Sequence, residues 1–219
     1  MRPVCGGGQF GRSIPPQHEA SVTAESLLRQ LRQVASGRRR TWLLDITTDV
    51  GVPAAVALSC RPDGSGFAFG LSARPRLEAA ARAAITEMCL ELADAVISTK
   101  RSERGDAVLN AQDRTHLRRA MINADQCALL QPVACPAPHL AIDATEAGDI
   151  LKLIAGRLKE LGIETYSIDL TRQRFAVPVV RVIAPGLQLE PSEIVTARLR
   201  HSIARTGGGA TYTDGVALI

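Results

Sequence analysis

The sequence predicts a mixed α+β domain, a β-sheet with helices packed on one face and an approximate internal repeat of helix–strand–turn–strand units. Three observations predict it. The stretch Trp42-Leu43-Leu44-Asp45-Ile46-Thr47-Thr48-Asp49-Val50-Gly51-Val52-Pro53-Ala54-Ala55-Val56-Ala57-Leu58 reads as a strand, a tight polar turn and a second apolar strand. The chain says nearly the same again in Tyr166-Ser167-Ile168-Asp169-Leu170-Thr171 and Ala176-Val177-Pro178-Val179-Val180-Arg181-Val182-Ile183. Both copies end a strand on Asp-x-Thr and open the next on Val-Pro, and an amphipathic helical pattern precedes each at closely matching spacing.

Residues 1–20 are expected to be a loose lead-in, because Gly6-Gly7-Gly8, Gly11 and Pro15-Pro16 break any periodicity. The glycine run lacks the Gly-Lys-Ser/Thr ending and following helix of a phosphate loop. From Ala24 to Ala35, Leu27, Leu28, Leu31 and Val34 recur at helical spacing, and Gly37 ends the helix. Trp42 to Ile46 is apolar except for Asp45, as expected of a strand covered on both faces. Pro53 suits a strand start, where its missing N–H costs little. Arg61-Pro62-Asp63-Gly64-Ser65-Gly66 predicts a hairpin turn into Phe67-Ala68-Phe69-Gly70-Leu71.

The clearest helix runs from about Leu77 to Ile97, with Leu77, Ala81, Ala84, Ile85, Met88, Leu92 and Val96 as its apolar stripe. Glu87, Glu91 and Asp94 line one flank and Arg82 the other. Such an acidic ridge can hold Mg²⁺ through carboxylates and water, and it is more often a solvated flank. Residues 99–115 are polar and predict a mobile loop; a helical piece follows near Arg114–Asp125, then a proline-rich connection. Asp149 to Leu161 predicts a helix with Leu151, Ile154, Leu158 and Leu161 inward, capped by Gly162. After Pro185-Gly186, Glu190 to Ala204 predicts a last helix and Thr206-Gly207-Gly208-Gly209 opens a frayed tail.

Composition narrows the function. With 46% hydrophobic and 22% charged residues, the 219-residue chain can bury a core of ordinary size. Aromatic residues are only 3%, too few for the stacking platform that single-stranded nucleic acid requires, so no nucleic-acid partner is expected. The net charge of +4 comes in short knots, Arg38-Arg39-Arg40 and Lys100-Arg101 with Arg104, which read as solvated turns or as a modest attraction for phosphate or an acidic partner. Five cysteines without a C-x-x-C pair match neither a zinc site nor a disulfide framework. No segment reads as a signal peptide or a membrane span, so a cytoplasmic protein is expected.

Taken in order, Asp45-x-Thr47-x-Asp49-x-Gly51-Val52-Pro53, then Thr86-Glu87 within the long helix, then Val177-Pro178-Val179-Val180-Arg181-Val182-Ile183-Ala184-Pro185-Gly186 resemble the YcaO family. The order and spacing agree over about residues 22–190, and the closing Val-Pro strand into Arg-Val-x-x-Pro-Gly is the most specific part. The resemblance implies an ATP-using enzyme of ribosomal-peptide modification, which phosphorylates a backbone amide oxygen. A Cys, Ser or Thr side chain then closes an azoline ring, while other members make thioamides or amidines. It implies ATP and Mg²⁺ as cofactors, and a peptide substrate or leader-binding protein as partner. By family position Glu87 and Arg82 are the candidate nucleotide-binding residues, and Glu87 with Glu91 the candidate metal ligands.

The resemblance is to the family's C-terminal half. Members carry an earlier segment with Glu-x-x-Glu clusters, the second running into Arg, and no Glu-x-x-Glu-Arg occurs in this sequence. Around the long helix the family commonly reads Arg-Ala-Leu-Thr-Glu-x-x-Gln-x-Arg. Here position 83 is Ala, Arg82 lies one residue out of register (about 100° round a helix), Leu90 stands for the Gln and Leu92 for the second Arg. The proline-rich family C-terminus is replaced by Gly215-Val216-Ala217-Leu218-Ile219.

The expected organisation is therefore a lead-in at 1–20, a YcaO-like domain at 21–190, and a C-terminal helix and tail at 191–219. Two functions from different classes follow. One is a cyclodehydratase-like protein, inactive alone, whose missing half sits on another chain. The other is a non-catalytic interaction protein, a degenerate or truncated family member; a homo-oligomer stays open in both. For Asp45, Thr47 and Asp49 the bland reading is that their side chains cap the turn. His18, His116, His139 and His201 sit in unrelated contexts and are expected in solvent or in satisfied packing. No Ser or Cys stands beside a base to form a separate nucleophilic site.

Overall fold

The computed structural model describes residues 12–14, 18–32, 39–127, 130–132, 139–187 and 197–206. Cys5, the Gly6-Gly7-Gly8 run, Arg38, Cys135 and the chain after Thr206 lie outside them. Two compact units separate between Leu140 and Ala141, and each is described by itself.

The first unit is built on a four-stranded antiparallel sheet in the order β1 (Arg12–Ser13), β2 (Arg40–Asp45), β3 (Ala54–Cys60), β4 (Ala68–Ala73). Within the stretch expected as a loose lead-in, Arg12 pairs with Asp45 and Ser13 with Leu44. Two short side chains close the turn between β2 and β3. Asp45 Oδ1 accepts from the Thr47 N–H at 2.8 Å, and Thr47 Oγ1 accepts from the Ala54 N–H at 3.0 Å. Gly51 supplies the left-handed residue, at φ 81°. The β3–β4 turn forms where the Pro-Asp-Gly sequence predicts it, with Asp63 Oδ1 accepting from Ser65 N and Oγ.

Period-two alternation sorts the strand residues onto two cores. Ala55 and Ala57 face α1 (Glu19–Arg32) and α2 (Leu77–Ser102), where they meet Ala20, Ala24, Ala80, Ala81, Ala84, Ile85 and Met88. Leu44, Val56, Leu58, Phe67 and Phe69 face the other way and pack with Ala124 and Leu130. Trp42 joins this second core, and its indole Nε1–H donates to the Leu130 carbonyl at 2.9 Å. The helices thus cover one face, as expected. Fully buried Ile85 and Met88 each contribute about 1.5–3 kcal/mol of burial. α2 approaches β4 at Gly70, where a Cβ would overlap Ala84 O and Met88 N. Only glycine fits beneath the helix there.

Helix boundaries differ from expectation in α1 and α2. α1 begins at Glu19, a turn and more before Ala24. α2 continues to Ser102, so the polar stretch 99–115 is the end of a helix, a 3₁₀ turn at Asp106–Val108 and the start of α3 (Ala111–Ala120). Val96, expected on the buried stripe, is 61% exposed. By that point α2 has run past the sheet, and the side it still covers is polar, with Ser98 fully buried against Asp113.

The second unit contains α4 (Ala147–Glu160) and a two-stranded antiparallel sheet of β5 (Tyr166–Asp169) and β6 (Val180–Ile183). α4 ends as Gly162 predicts, at φ 71°, with Ile163 N donating to Leu158 O and Gly162 N to Lys159 O. Leu158 and Ile163 are buried, whereas Leu151, expected inward, is exposed. α5 is described over Ala197–Thr206, and the expected start at Glu190 falls within residues 188–196, which lie outside the described residues.

The Asp-x-Thr turn recurs bond for bond. Asp169 Oδ1 accepts from Thr171 N at 2.8 Å, and Thr171 Oγ1 accepts from Val179 N at 3.1 Å. The register recurs too: Asp45 opposes Ala55 and Leu43 opposes Ala57, as Asp169 opposes Val180 and Ser167 opposes Val182. These carboxylates and hydroxyls are occupied by backbone amides, which supports the capping role. Among the described residues no helix is long and apolar enough to cross a membrane.

Candidate functional site

The candidate residues Arg82, Glu87 and Glu91 all lie on α2, and the structure sends them to three different surroundings. Glu87 is exposed on the side of α2 nearest β4. Its Oε2 accepts from the Leu71 N–H at 3.1 Å, leaving Oε1 without a hydrogen bond among the described residues. Glycine at position 70 makes this reach possible, because it lets the helix settle close to the strand.

Glu91 lies one helical turn on and faces α3. Its side chain is only 12% exposed, with Oε1 3.0 Å from His116 Nδ1 and 3.6 Å from Arg119 Nη1. The Arg119 guanidinium also sits 5.1 Å from the centre of the Phe69 ring, a cation–π contact that holds it in place. On the far side of the imidazole, Nε2 is 3.8 Å from Asp94 Oδ2. His116 is therefore flanked by two carboxylates, yet neither ring nitrogen completes an aligned hydrogen bond. The 3.0 Å approach is close but not aligned as a hydrogen bond. Arg82 is exposed, about 140° around the helix from Glu87, so the two do not share a face.

Beyond this group, a fully satisfied polar cluster ties α2 to α3. Asp113 Oδ1 accepts from Ser98 Oγ and Arg101 Nη1, both at 2.9 Å. Its Oδ2 accepts from Asn110 N at 3.1 Å, while Asn110 Oδ1 caps Asp113 N at 2.8 Å. Burial pushes the Asp113 carboxyl up, but the Asn110 amide, the Ser98 hydroxyl and the Arg101 guanidinium outweigh it and hold it below the usual range.

Of the ridge read from the sequence, then, Glu87 and the half-exposed Asp94 keep carboxylate at the surface, while Glu91 is largely covered. Glu91 and Asp94 turn toward His116. Sequence reasoning assigned no role to His116, Arg119 or Asp113; their i, i+3 spacing along a polar helix was the available signal. His139 was likewise expected to be unremarkable, and its Nε2 lies 2.8 Å from Asp45 Oδ2. No three His, Cys, Asp or Glu side chains among the described residues are grouped to hold a metal ion. These residues do not by themselves fit an Mg²⁺ site.

Comparison with curated proteins found no match in sequence. Solved structures share the fold. A heterocyclase in complex with substrate and cofactor is 19% identical at a TM-score of 0.59, over 84% of this chain and 24% of that one. The heterocyclase TruD is 24% identical at 0.53, over 93% and 26%. YcaO from Methanopyrus kandleri bound with AMPPCP and Mg²⁺ is 20% identical at 0.50, over 92% and 49%. The chain thus spans between about a quarter and a half of the length of these structures. The profile of the YcaO cyclodehydratase family, described as ATP- and Mg²⁺-binding, matches residues 11–188. With most of its length matched, and with the Asp-x-Thr turns and the Val-Pro strands folded as described, the chain belongs to the YcaO family.

Proposed function

We propose that this chain is one part of an ATP- and Mg²⁺-dependent assembly that activates backbone amides of a ribosomally made peptide, forming azolines from Cys, Ser or Thr, or thioamides. The observation that carries the proposal is the family match over residues 11–188 in a chain that spans 24–49% of the structures sharing its fold. Glu87 contributes one carboxylate to the metal–nucleotide site, while acidic residues on further YcaO polypeptide complete it; Arg82, on another face of α2, is the lesser nucleotide candidate. Glu91 is the lesser metal candidate, since His116 and Arg119 already engage it. Partners in this reading are the peptide, or a protein that binds its leader, and the polypeptide that carries the remaining site. A cytoplasmic location follows from the chemistry of that substrate.

The proposal is tested by titrating Mg²⁺–ATP calorimetrically into the chain alone and into the chain with the product of the adjoining reading frame, with phosphate release followed in parallel. Tight binding and peptide-stimulated release are expected only for the pair, and Glu87→Gln is expected to weaken binding by the pair at least tenfold. Peptide-stimulated turnover by the chain alone would overturn the reading of an incomplete site. An unchanged Glu87→Gln pair would remove Glu87 from it.

A second reading, a non-catalytic interaction protein, is favoured by the inward engagement of Glu91 with His116 and Arg119, which turns the middle of the acidic ridge into a strut between helices. In that case the pair would bind no Mg²⁺–ATP at all.

A further inference from the structure

The β5–β6 hairpin repeats the register of the β2–β3 hairpin with one more residue in its turn, yet its surroundings differ. By register, Val180 and Val182 occupy the places of Ala55 and Ala57. Ala55 and Ala57 are fully buried beneath α1 and α2, whereas Val180 and Val182 are 62% and 61% exposed. On the opposite face, Tyr166, Ile168, Leu170 and Ile183 are exposed, where their counterparts Trp42, Leu44, Ile46 and Leu58 join the second core. The edges differ as well. β3 is paired on its second edge by β4, whereas β6 has no second strand among the described residues. A two-stranded hairpin is marginal in water without a third strand or a packed helix. Contiguous apolar surface of this kind marks an interaction site.

The covered hairpin shows what covers its equivalent. We infer that β5–β6 is the docking surface for a second polypeptide of the YcaO fold, which adds a strand to the free edge of β6 and lays an amphipathic helix across Val180 and Val182, as β4 and α2 do for β3. This rests on the reading that further YcaO polypeptide completes the site, and it names the surface that receives it. A second copy of this chain fits poorly. Pairing β6 with itself about a two-fold axis centred on Arg181 or Val182 sets the two Arg181 side chains directly or diagonally opposite, about 5–8 Å apart on one face. A bilayer fits poorly too, because Asp169, Arg172, Arg174 and Arg181 lie along the same hairpin.

The test places the photo-cross-linker p-benzoylphenylalanine at position 182 of the full chain, in cells that make the protein. The cross-linked peptide is then sequenced by mass spectrometry. Support is a cross-link to another polypeptide with YcaO-family sequence, at a segment with helical apolar spacing, that disappears at least tenfold when Val180→Asp is added. Circular dichroism of the Val180→Asp chain is expected to match the parent. A cross-link to a peptide of this chain, to lipid or to an unrelated protein, or no cross-link, overturns the inference. Glu87→Gln is expected to leave the cross-link intact. If the cross-link fails while the adjoining product still confers Mg²⁺–ATP binding, the docking surface is wrong and the proposed function stands.

Discussion

Thr47 Oγ1 accepts a hydrogen bond from the Ala54 amide at 3.0 Å, across a seven-residue step that closes the first Asp-x-Thr turn. Thr171 does the same for Val179 at 3.1 Å, but Thr47 is buried and Thr171 is exposed. The two bonds are chemically equal and differ in what replaces them. Thr47→Val strands a part-buried amide and is expected to cost about 1–3 kcal/mol, whereas water can take the place of Thr171, so Thr171→Val is expected to cost less than about 1 kcal/mol. Urea unfolding of the two variants, with hydrogen exchange at Ala54 and Val179, measures the difference. Equal costs would show that burial does not set the value of this bond.

Gly70→Ala puts a methyl group where the α2 backbone already lies, and backbone cannot step aside as a flexible side chain can. The expected loss is about 1–3 kcal/mol or more, read as a fall in the denaturation midpoint. Gly148→Ala is the control. A Cβ there meets nothing within 4 Å, and helix propensity favours alanine.

Glu91 and Glu87, one turn apart, are expected to separate by readout. Glu91→Ala leaves His116 and Arg119 without their carboxylate in a mostly covered site and is expected to destabilise the fold by about 1–3 kcal/mol. Glu87→Ala removes one exposed hydrogen bond and is expected to cost no more than about 1 kcal/mol. Thermal melts decide this. A Glu87 variant as unstable as the Glu91 variant would place both carboxylates in the scaffold.

Asp113 makes acid stability asymmetric. Its folded carboxyl ionises below the ordinary value of about 3.9, so the folded state favours the charged form. That contribution is present above the unfolded value and is lost as pH falls through the folded one. Asp113→Asn is therefore expected to be less stable than the parent at pH 7, with the gap narrowing below about pH 4. Asp63 and Asp169 also ionise low, so the informative quantity is the difference between variant and parent. A gap that stays constant down to pH 2 would exclude the linkage.

Much of the fold was legible from the sequence because local rules and global packing agree there. The stripe from Leu77 to Met88 has helical spacing and does face the sheet, and Gly162 both ends α4 and takes a left-handed φ. Reading failed where a distant polar partner decides. Nothing local tells that Ser98 and Arg101 extend α2 by meeting Asp113, or that His116 and Arg119 draw Glu91 inward. The same blindness affected the candidate site. Spacing placed three acids on one flank, but only tertiary contacts show that Glu91 is the one taken inward.

Trp42 is the only tryptophan in the chain, and it sits in the second core of the first unit with its indole bonded to Leu130 O. Its emission therefore reports on the packing of that unit. Fluorescence and far-ultraviolet dichroism recorded in one melt would divide the protein optically. Coincident transitions would mean that the two units unfold cooperatively, and separated ones that the hairpin's half melts independently.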